Sequence, residues 1–159
     1  DAATWFVKEV WPLVHSQAPS AHVYLVGKNP SPAVQALRQD PQVHVTGYVP
    51  EVLPYLAAAD CYIAPLRVGG GTRLKLLEAL ACGLPIVSTT LGAEGLEVNS
   101  SQHLLLAQSA EGFAQGVLRL LSDRELAAKL GANARELAVK RYDWEVLLPC
   151  LAAAYDALG

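Results

Sequence analysis

Three consecutive glycines, Gly69, Gly70 and Gly71, run into Thr72, Arg73 and Lys75, with Glu78 one helical turn further on. Glycine lets a backbone come close to a ligand, and a helix start offers unpaired N–H groups and partial positive charge to an anion. The spacing predicts a helix from Thr72 to Cys82, ended by Gly83. Arg73 and Lys75 in its first turn would oppose the helix dipole by roughly 0.3 to 1 kcal/mol each, a placement that a neighbouring diphosphate would explain. Lys75 and Glu78 share a face, and a carboxylate with two acceptor oxygens suits the paired hydroxyls of a ribose. The same residues also read as an exposed Lys75–Glu78 ion pair worth about 0.2 to 0.5 kcal/mol beside a plain turn. Residue types alone leave both readings open.

Positioning such a cradle requires strands that end where the glycines begin. Helical and strand-like segments alternate over the first two thirds of the chain, the pattern of a parallel sheet flanked by helices. Asp1 to Gln17 carries a helical apolar face of Phe6, Val7, Val10, Trp11 and Val14. Strands are predicted at His22–Val26, Val43–Val45, Cys61–Ala64, Pro85–Val87 and His103–Leu106. Helices are predicted at Pro32–Arg38, Pro50–Ala58, Ala110–Leu121, Arg124–Lys140 and Trp144–Leu158, with Ser122 and Asp123 as caps for the helix Arg124–Lys140. Pro149 should bend or interrupt the final one. A crossover helix needs a strand before it, so the opening helix predicts a fragment whose first strand, and a partner domain, lie upstream.

A chain of 159 residues, 52% of them hydrophobic, suits one domain, residues 1–159. A net charge of -3 with dispersed basic residues argues against nucleic acid as a partner. No apolar run approaches the roughly 20 residues that span a bilayer. Cys61, Cys82 and Cys150 are expected to be buried hydrophobes, and His15, His22, His44 and His103 show no spacing that brings two together as metal ligands. No metal site and no cofactor are predicted.

Several motifs in order then carry a resemblance. VYLVGK at Val23–Lys28, VTGYV at Val45–Val49, LAAADCYIAPL at Leu56–Leu66, GGGTRLKLLEALACGLPIVST at Gly69–Thr89, GAEGL at Gly92–Leu96 and YDWE at Tyr142–Glu145 follow one another. From Leu25 to about Ala157 the chain resembles the C-terminal half of a retaining, nucleotide-sugar-dependent glycosyltransferase of group 1 (family 4), with the GT-B fold. The resemblance implies an α/β, Rossmann-like donor domain with a helical C-terminal segment. It implies a donor such as a UDP or GDP sugar, and an acceptor glycan or lipid-linked saccharide held by the missing N-terminal domain. Transfer would retain anomeric configuration without a metal, the isolated fragment would be inactive, and the protein would be cytoplasmic, touching membrane only through the missing domain.

In the family a pair of glutamates eight positions apart bridges the donor; Glu78 matches the second, while Gly70 stands where the first is expected. The resemblance maps donor binding to Gly27, Gly47, Tyr48, Val49, Gly69, Gly70, Gly71, Thr72, Glu78 and the loop Gly92, Ala93, Glu94 and Gly95. Arg73 and Lys75 would stabilise the departing diphosphate as the catalytic cations. Residue by residue, Tyr48 can equally pack at a sheet edge, Gly27 and Gly47 can be turn glycines, and Glu94 can be a solvated charge. Two other classes remain beside this one: a non-catalytic nucleotide-binding or scaffolding module of the same fold, and a nucleotide-sugar epimerase, for which acid and base residues are not found.

Overall fold

The structure, a computed structural model, describes residues 1–156. The expected end of the last helix at Leu158 lies outside them, as does the side chain of Cys150.

The chain opens with one helical run made of α1 (Ala2–Trp5), a wide π turn (Phe6–Val10) and α2 (Trp11–His15). Pro12 lacks an N–H, and just before it the Trp11 N–H reaches back to the Phe6 carbonyl, which is the π spacing. Phe6, Val7, Val10, Trp11 and Val14 are all buried, as their periodicity predicts. Strand β1 (Val23–Val26) follows, then α3 (Pro32–Gln35), a 3-10 turn (Ala36–Gln39), β2 (Val43–Gly47), α4 (Leu53–Ala57) and β3 (Tyr62–Ala64). Next come α5 (Leu74–Ala81), β4 (Ile86–Ser88), a 3-10 turn (Leu91–Ala93) and β5 (Leu105–Leu106). The chain closes with α6 (Ala110–Ser122), α7 (Arg124–Tyr142) and α8 (Trp144–Asp156).

All strand pairs are parallel, and they form two sheets rather than one: β1–β2, and β3–β4–β5. A single apolar cluster nevertheless joins them. Val23, Val43 and Val45 of the first sheet and Val87 and Leu105 of the second pack on Phe6, Val10, Val14, Phe113 and Val117. Trp5 and Phe6 each meet Phe113 edge to face at ring separations of 5.9 and 5.8 Å. A second cluster lies between α5 and α7, around Leu76, Ala79, Leu80, Ala134 and Ala138. Those two helices come close where Gly131 of α7 meets Gly83, just past the end of α5. A side chain on Gly131 would put its Cβ 2.2 Å from the Gly83 carbonyl oxygen.

Several predicted boundaries need correction. The helix expected from Pro50 starts at Leu53, with Pro54 in its first turn, where a missing N–H is harmless. The helix expected from Thr72 starts at Leu74, because Arg73 adopts φ -83° and ψ 50°, outside the helical region. Asp123 caps α7 by accepting from the Leu126 N–H at 2.9 Å, but Ser122 turns back onto the Arg119 carbonyl instead. Pro149 does not divide α8, which is helical throughout its described length. The carbonyl that Pro149 cannot pair belongs to Glu145 in the first turn, an exposed residue whose carbonyl can turn to water. Cys82 is exposed, not buried, because it sits at the solvent end of α5. Cys61 is half-buried as a residue, and burial pushes its thiol up to about 12, the Asp60 charge adding to the effect and a backbone contact from Val87 opposing it.

Histidines also come together against expectation. The β1–β2 register sets Tyr24 opposite His44 and so brings His22 Nδ1 within 2.9 Å of His44 Nε2, with the Tyr24 ring stacked on His44 at 4.5 Å. Among the described residues no three His, Cys, Asp or Glu side chains gather as metal ligands. No helix among them is long and apolar enough to cross a membrane.

Candidate functional site

Parallel strands send their following loops to one edge of the sheet, where open α/β folds take ligands. The carboxyl edge of the β1–β2 sheet carries Gly27 after β1 and Gly47, Tyr48 and Val49 at and after β2, and the carboxyl edge of the β3–β4–β5 sheet carries Gly69–Thr72 after β3 and Gly92–Gly95 after β4. The ring of Tyr48 is 74% exposed, so it packs against no sheet edge.

The glycine loop needs its glycines. Gly69 and Gly71 have φ of 125° and 91°, a region closed to other residues without strain, whereas Gly70 has an ordinary φ. Thr72, Lys75 and Glu78 are exposed beyond the loop, Lys75 in the first turn of α5 and Glu78 in the second. Glu78 acts on the interior as well. Its charge, after burial as the larger cause, raises the Tyr62 phenol above its usual value.

Arg73 does not project from the helix start. It is 8% exposed and points back into the loop. Its Nε donates to the Leu91 carbonyl at 3.0 Å, Nη1 to the Gly70 carbonyl at 3.2 Å and Nη2 to the Gly69 carbonyl at 3.3 Å. Nη2 also pairs with Glu94 Oε2 at 3.3 Å. The rigid donor fork of a guanidinium suits this task, since one side chain meets acceptors on two loops. Glu94 is thus neither a bare solvated charge nor unpartnered, though its carboxylate side remains 67% exposed.

The turn after β4 divides the expected loop in two. Gly92 and Ala93 are buried, while Glu94 and Gly95 are exposed. A Cβ on Gly92 would lie 2.6 Å from both the Ala64 carbonyl and Ser88 Oγ, so glycine here answers to close packing. Sequence reasoning missed the hydroxyls that support this turn. Buried Ser88 donates to the Thr89 carbonyl at 2.9 Å and the Ala64 carbonyl at 3.3 Å. Thr89 Oγ1 donates to the Leu66 carbonyl and accepts from the Gly92 N–H at 2.9 Å. The signal was present as Ser-Thr-Thr closing a buried apolar strand, where a hydroxyl needs a partner.

Arg67, also unpredicted, lies over the Trp5 ring at 5.2 Å and 3.7 Å from the Asp1 carboxylate, both contacts half-exposed. The YDWE element ties the far end of the fold to the same region: Tyr142 accepts from the Glu97 N–H at 2.7 Å, and Arg141 pairs with Glu97 at 2.9 Å. Chemically, the edge offers exposed loop amides, one exposed cation and one exposed carboxylate within two helical turns, suited to an anionic ligand that also carries hydroxyls.

Comparison with known proteins agrees. Residues 1–123 match the family model described as glycosyl transferases group 1. A phosphatidyl-myo-inositol mannosyltransferase of Propionibacterium freudenreichii subsp. shermanii is 31% identical over 93% of this chain and 38% of its own length. A GDP-mannose-dependent alpha-(1-6)-phosphatidylinositol monomannoside mannosyltransferase of Mycobacterium tuberculosis is 30% identical over 89% of this chain and 40% of its own. The chain thus spans about two fifths of the length of these curated relatives. Among solved structures, the C-terminal domain of the group 1 glycosyl transferase LpcC from Francisella tularensis superposes with a TM-score of 0.77 at 20% identity, covering 89% of this chain and 79% of that one. Anabaena HepE in complex with UDP and glucose gives 0.78 at 19% identity, covering 94% of this chain and 45% of that one. The fold is that of the C-terminal domains of GT-B glycosyltransferases, and the chain belongs to the group 1 glycosyltransferases.

Proposed function

We propose that this chain is the donor-binding domain of a glycosyltransferase that moves a sugar from a nucleoside diphosphate sugar to an acceptor held by a second domain of the same protein. The observation that carries the reading is the exposed Lys75 and Glu78 on the first two turns of α5, directly beyond a glycine loop at the ligand edge of a parallel sheet. The Lys75 ammonium and the loop N–H groups would meet the diphosphate, whose negative charge grows as the glycosidic bond breaks; donors already in position stabilise that charge most. The Glu78 carboxylate would accept from the ribose hydroxyls. Arg73 acts one step back, as a positioning residue that holds the glycine loop and the Leu91 turn in register. Retention of configuration is part of this proposal, as is a metal-free mechanism.

The printed activities of the two mannosyltransferase relatives make GDP-mannose the first donor to assay and a phosphatidylinositol glycolipid the first acceptor. The HepE complex keeps UDP sugars in the same screen. Calorimetry on the full-length protein tests the core of the reading. A nucleoside diphosphate should bind tighter than about 1 mM, roughly -4 kcal/mol, and Glu78→Ala should weaken it about tenfold or more for one lost charged hydrogen-bond pair. The same substitution should have much less effect on a 2′,3′-dideoxy analogue, which lacks the diol. Equal loss for both ligands would remove Glu78 from the ribose. Binding without turnover on any donor and acceptor would favour the non-catalytic nucleotide-binding module.

A further inference from the structure

The face of the β1–β2 sheet turned away from the core carries a row of rings that the loops at its carboxyl edge do not use. Val23 and Leu25 of β1 and Val43 and Val45 of β2 pack into the apolar cluster, so by the two-residue period of a strand His22, Tyr24 and His44 project from the opposite face. Parallel pairing sets Tyr24 beside His44 and brings His22, two residues back on the same face, against His44 as well. The His44 ring therefore has two stacked neighbours, the Tyr24 ring at 4.5 Å and 23° and the His22 ring at 5.2 Å and 25°. Tyr24 in turn meets Tyr55 of α4 at 6.3 Å. This packing leaves His44 half-buried, while His22 stays exposed.

Stacking fixes which atoms meet. His22 Nδ1 comes within 2.9 Å of His44 Nε2. One shared proton serves that contact, one nitrogen donating and the other accepting. Moving this proton to the other nitrogen of its own ring keeps the pair neutral and leaves both facing nitrogens with lone pairs, the state in which imidazole binds metal. The spacing then selects a geometry. Two bonds of about 2.0 Å hold their nitrogens about 2.8 Å apart at a right angle and about 3.3 Å apart at a tetrahedral angle. The observed 2.9 Å fits the right angle, which square-planar ions adopt.

We propose that His22 and His44 form a binding site for a late first-row divalent cation that takes square-planar coordination, Cu(II) first and Ni(II) after it, with water in the remaining positions. Imidazole nitrogens suit these ions, and Cu(II) stands at the top of the affinity order for such ligands. Among the described residues no third His, Cys, Asp or Glu joins the pair, and tetrahedral zinc sites require at least three protein ligands. The strand register and the Tyr24 stack hold both rings in place before an ion arrives, so binding has little side-chain freedom left to remove. His22 precedes Gly27 by five residues, roughly 16 Å along a strand, so the site lies toward the amino edge of its sheet and away from the carboxyl-edge loops.

Calorimetry on the full-length protein, purified without a histidine tag and titrated with Cu(II) as its glycine complex, tests the site independently of any donor. One Cu(II) should bind per chain at these residues with a dissociation constant below about 10 µM, and Zn(II) at least about tenfold more weakly. The EPR spectrum of the bound ion should be tetragonal with splitting from two nitrogens. Paramagnetic broadening should reach the Val23, Tyr24 and His44 amides and spare those of Gly69–Thr72. His22→Gln and His44→Gln should each weaken Cu(II) at least about tenfold, whereas Tyr24→Phe, which keeps the stacked ring, should leave it nearly unchanged. Zn(II) binding as tight as Cu(II) would overturn the square-planar assignment. Unchanged Cu(II) affinity in either histidine variant would overturn the pair as the ligand set. Absence of broadening at β1 and β2 would overturn the site outright, and that measurement needs no variant, so it decides the matter even where a substitution disturbs the sheet.

Discussion

Removing Arg73 should release the glycine loop rather than simply subtract a charge from the ligand. In Arg73→Ala three carbonyls lose their donor, those of Gly69, Gly70 and Leu91, together with the pairing to Glu94. Hydrogen bonds from a charged donor contribute about 1.5 to 3 kcal/mol each when they stand alone. These three share one guanidinium and do not add, and the Glu94 pair, whose carboxylate is mostly in water, contributes at most about 1 kcal/mol. A total near 3 kcal/mol corresponds to roughly a hundredfold change in the population of the closed arrangement. The buried Gly92 and Ala93 amides report it, because they pack in the turn whose Leu91 carbonyl Arg73 holds. Their exchange in the full-length variant should accelerate by up to about a hundredfold, with the amides of β1 and β2 unchanged. Arg73→Lys should recover little of this, since an ammonium donates from one point and cannot span both loops. Glu94→Gln should change the rates no more than about fivefold. If Arg73→Ala left the Gly92 and Ala93 rates within a factor of two of the parent, the guanidinium would not be holding the turn.

Three other outcomes follow from the same geometry. Lys75→Ala should lower kcat/KM for transfer by about tenfold to a hundredfold, with kcat falling at least as much as affinity if the ammonium meets charge that grows in the transition state. Gly92→Ala should destabilise the protein by about 2 kcal/mol or more, read as a lowered Tm, because its methyl has no room between Ala64 and Ser88. Mass spectrometry after iodoacetamide treatment at mildly alkaline pH should find Cys82 alkylated and Cys61 spared. Cys61 also has a pH consequence. Its thiol is raised in the fold, so its contribution to stability is complete below the unfolded value near 9.0 and is lost as pH climbs from there toward about 12.

What the sequence carries plainly is periodic. The face of Phe6, Val10, Trp11 and Val14 and the strands at Val23, Val43, Tyr62 and Ile86 are visible as patterns of apolar residues, and the glycine loop between β3 and α5 is visible as composition. Features that depend on which strand lies beside which are not visible this way. His22 meets His44 only because β1 and β2 pair in one register, and nothing in the spacing of the two histidines states that register. Arg73 belongs to the same class. Its acceptors include a carbonyl that arrives from the turn after β4, so the sequence shows a cation near a helix start while the fold turns it inward. Helix α5 starts two residues late for the same reason, since Arg73 leaves the helical region to reach those carbonyls. Pro149 is tolerated for a positional reason that periodicity does not show: the carbonyl it leaves unpaired belongs to exposed Glu145 in the first turn of α8, where water can meet it.

The crossing of Gly83 and Gly131 reaches beyond the residues that touch it. α5 is held at its far end by this contact, and Gly83 itself sits at φ 70°, so neither position has room for independent drift. An enlarged residue at Gly131 would push on the backbone of the helix that carries Lys75 and Glu78. In a set of related sequences the two sites should therefore stay small together, while exposed residues such as Tyr48 and Thr72 vary with the ligand. Selection on ligand handling would then be recorded on α7, at a glycine that never meets the ligand.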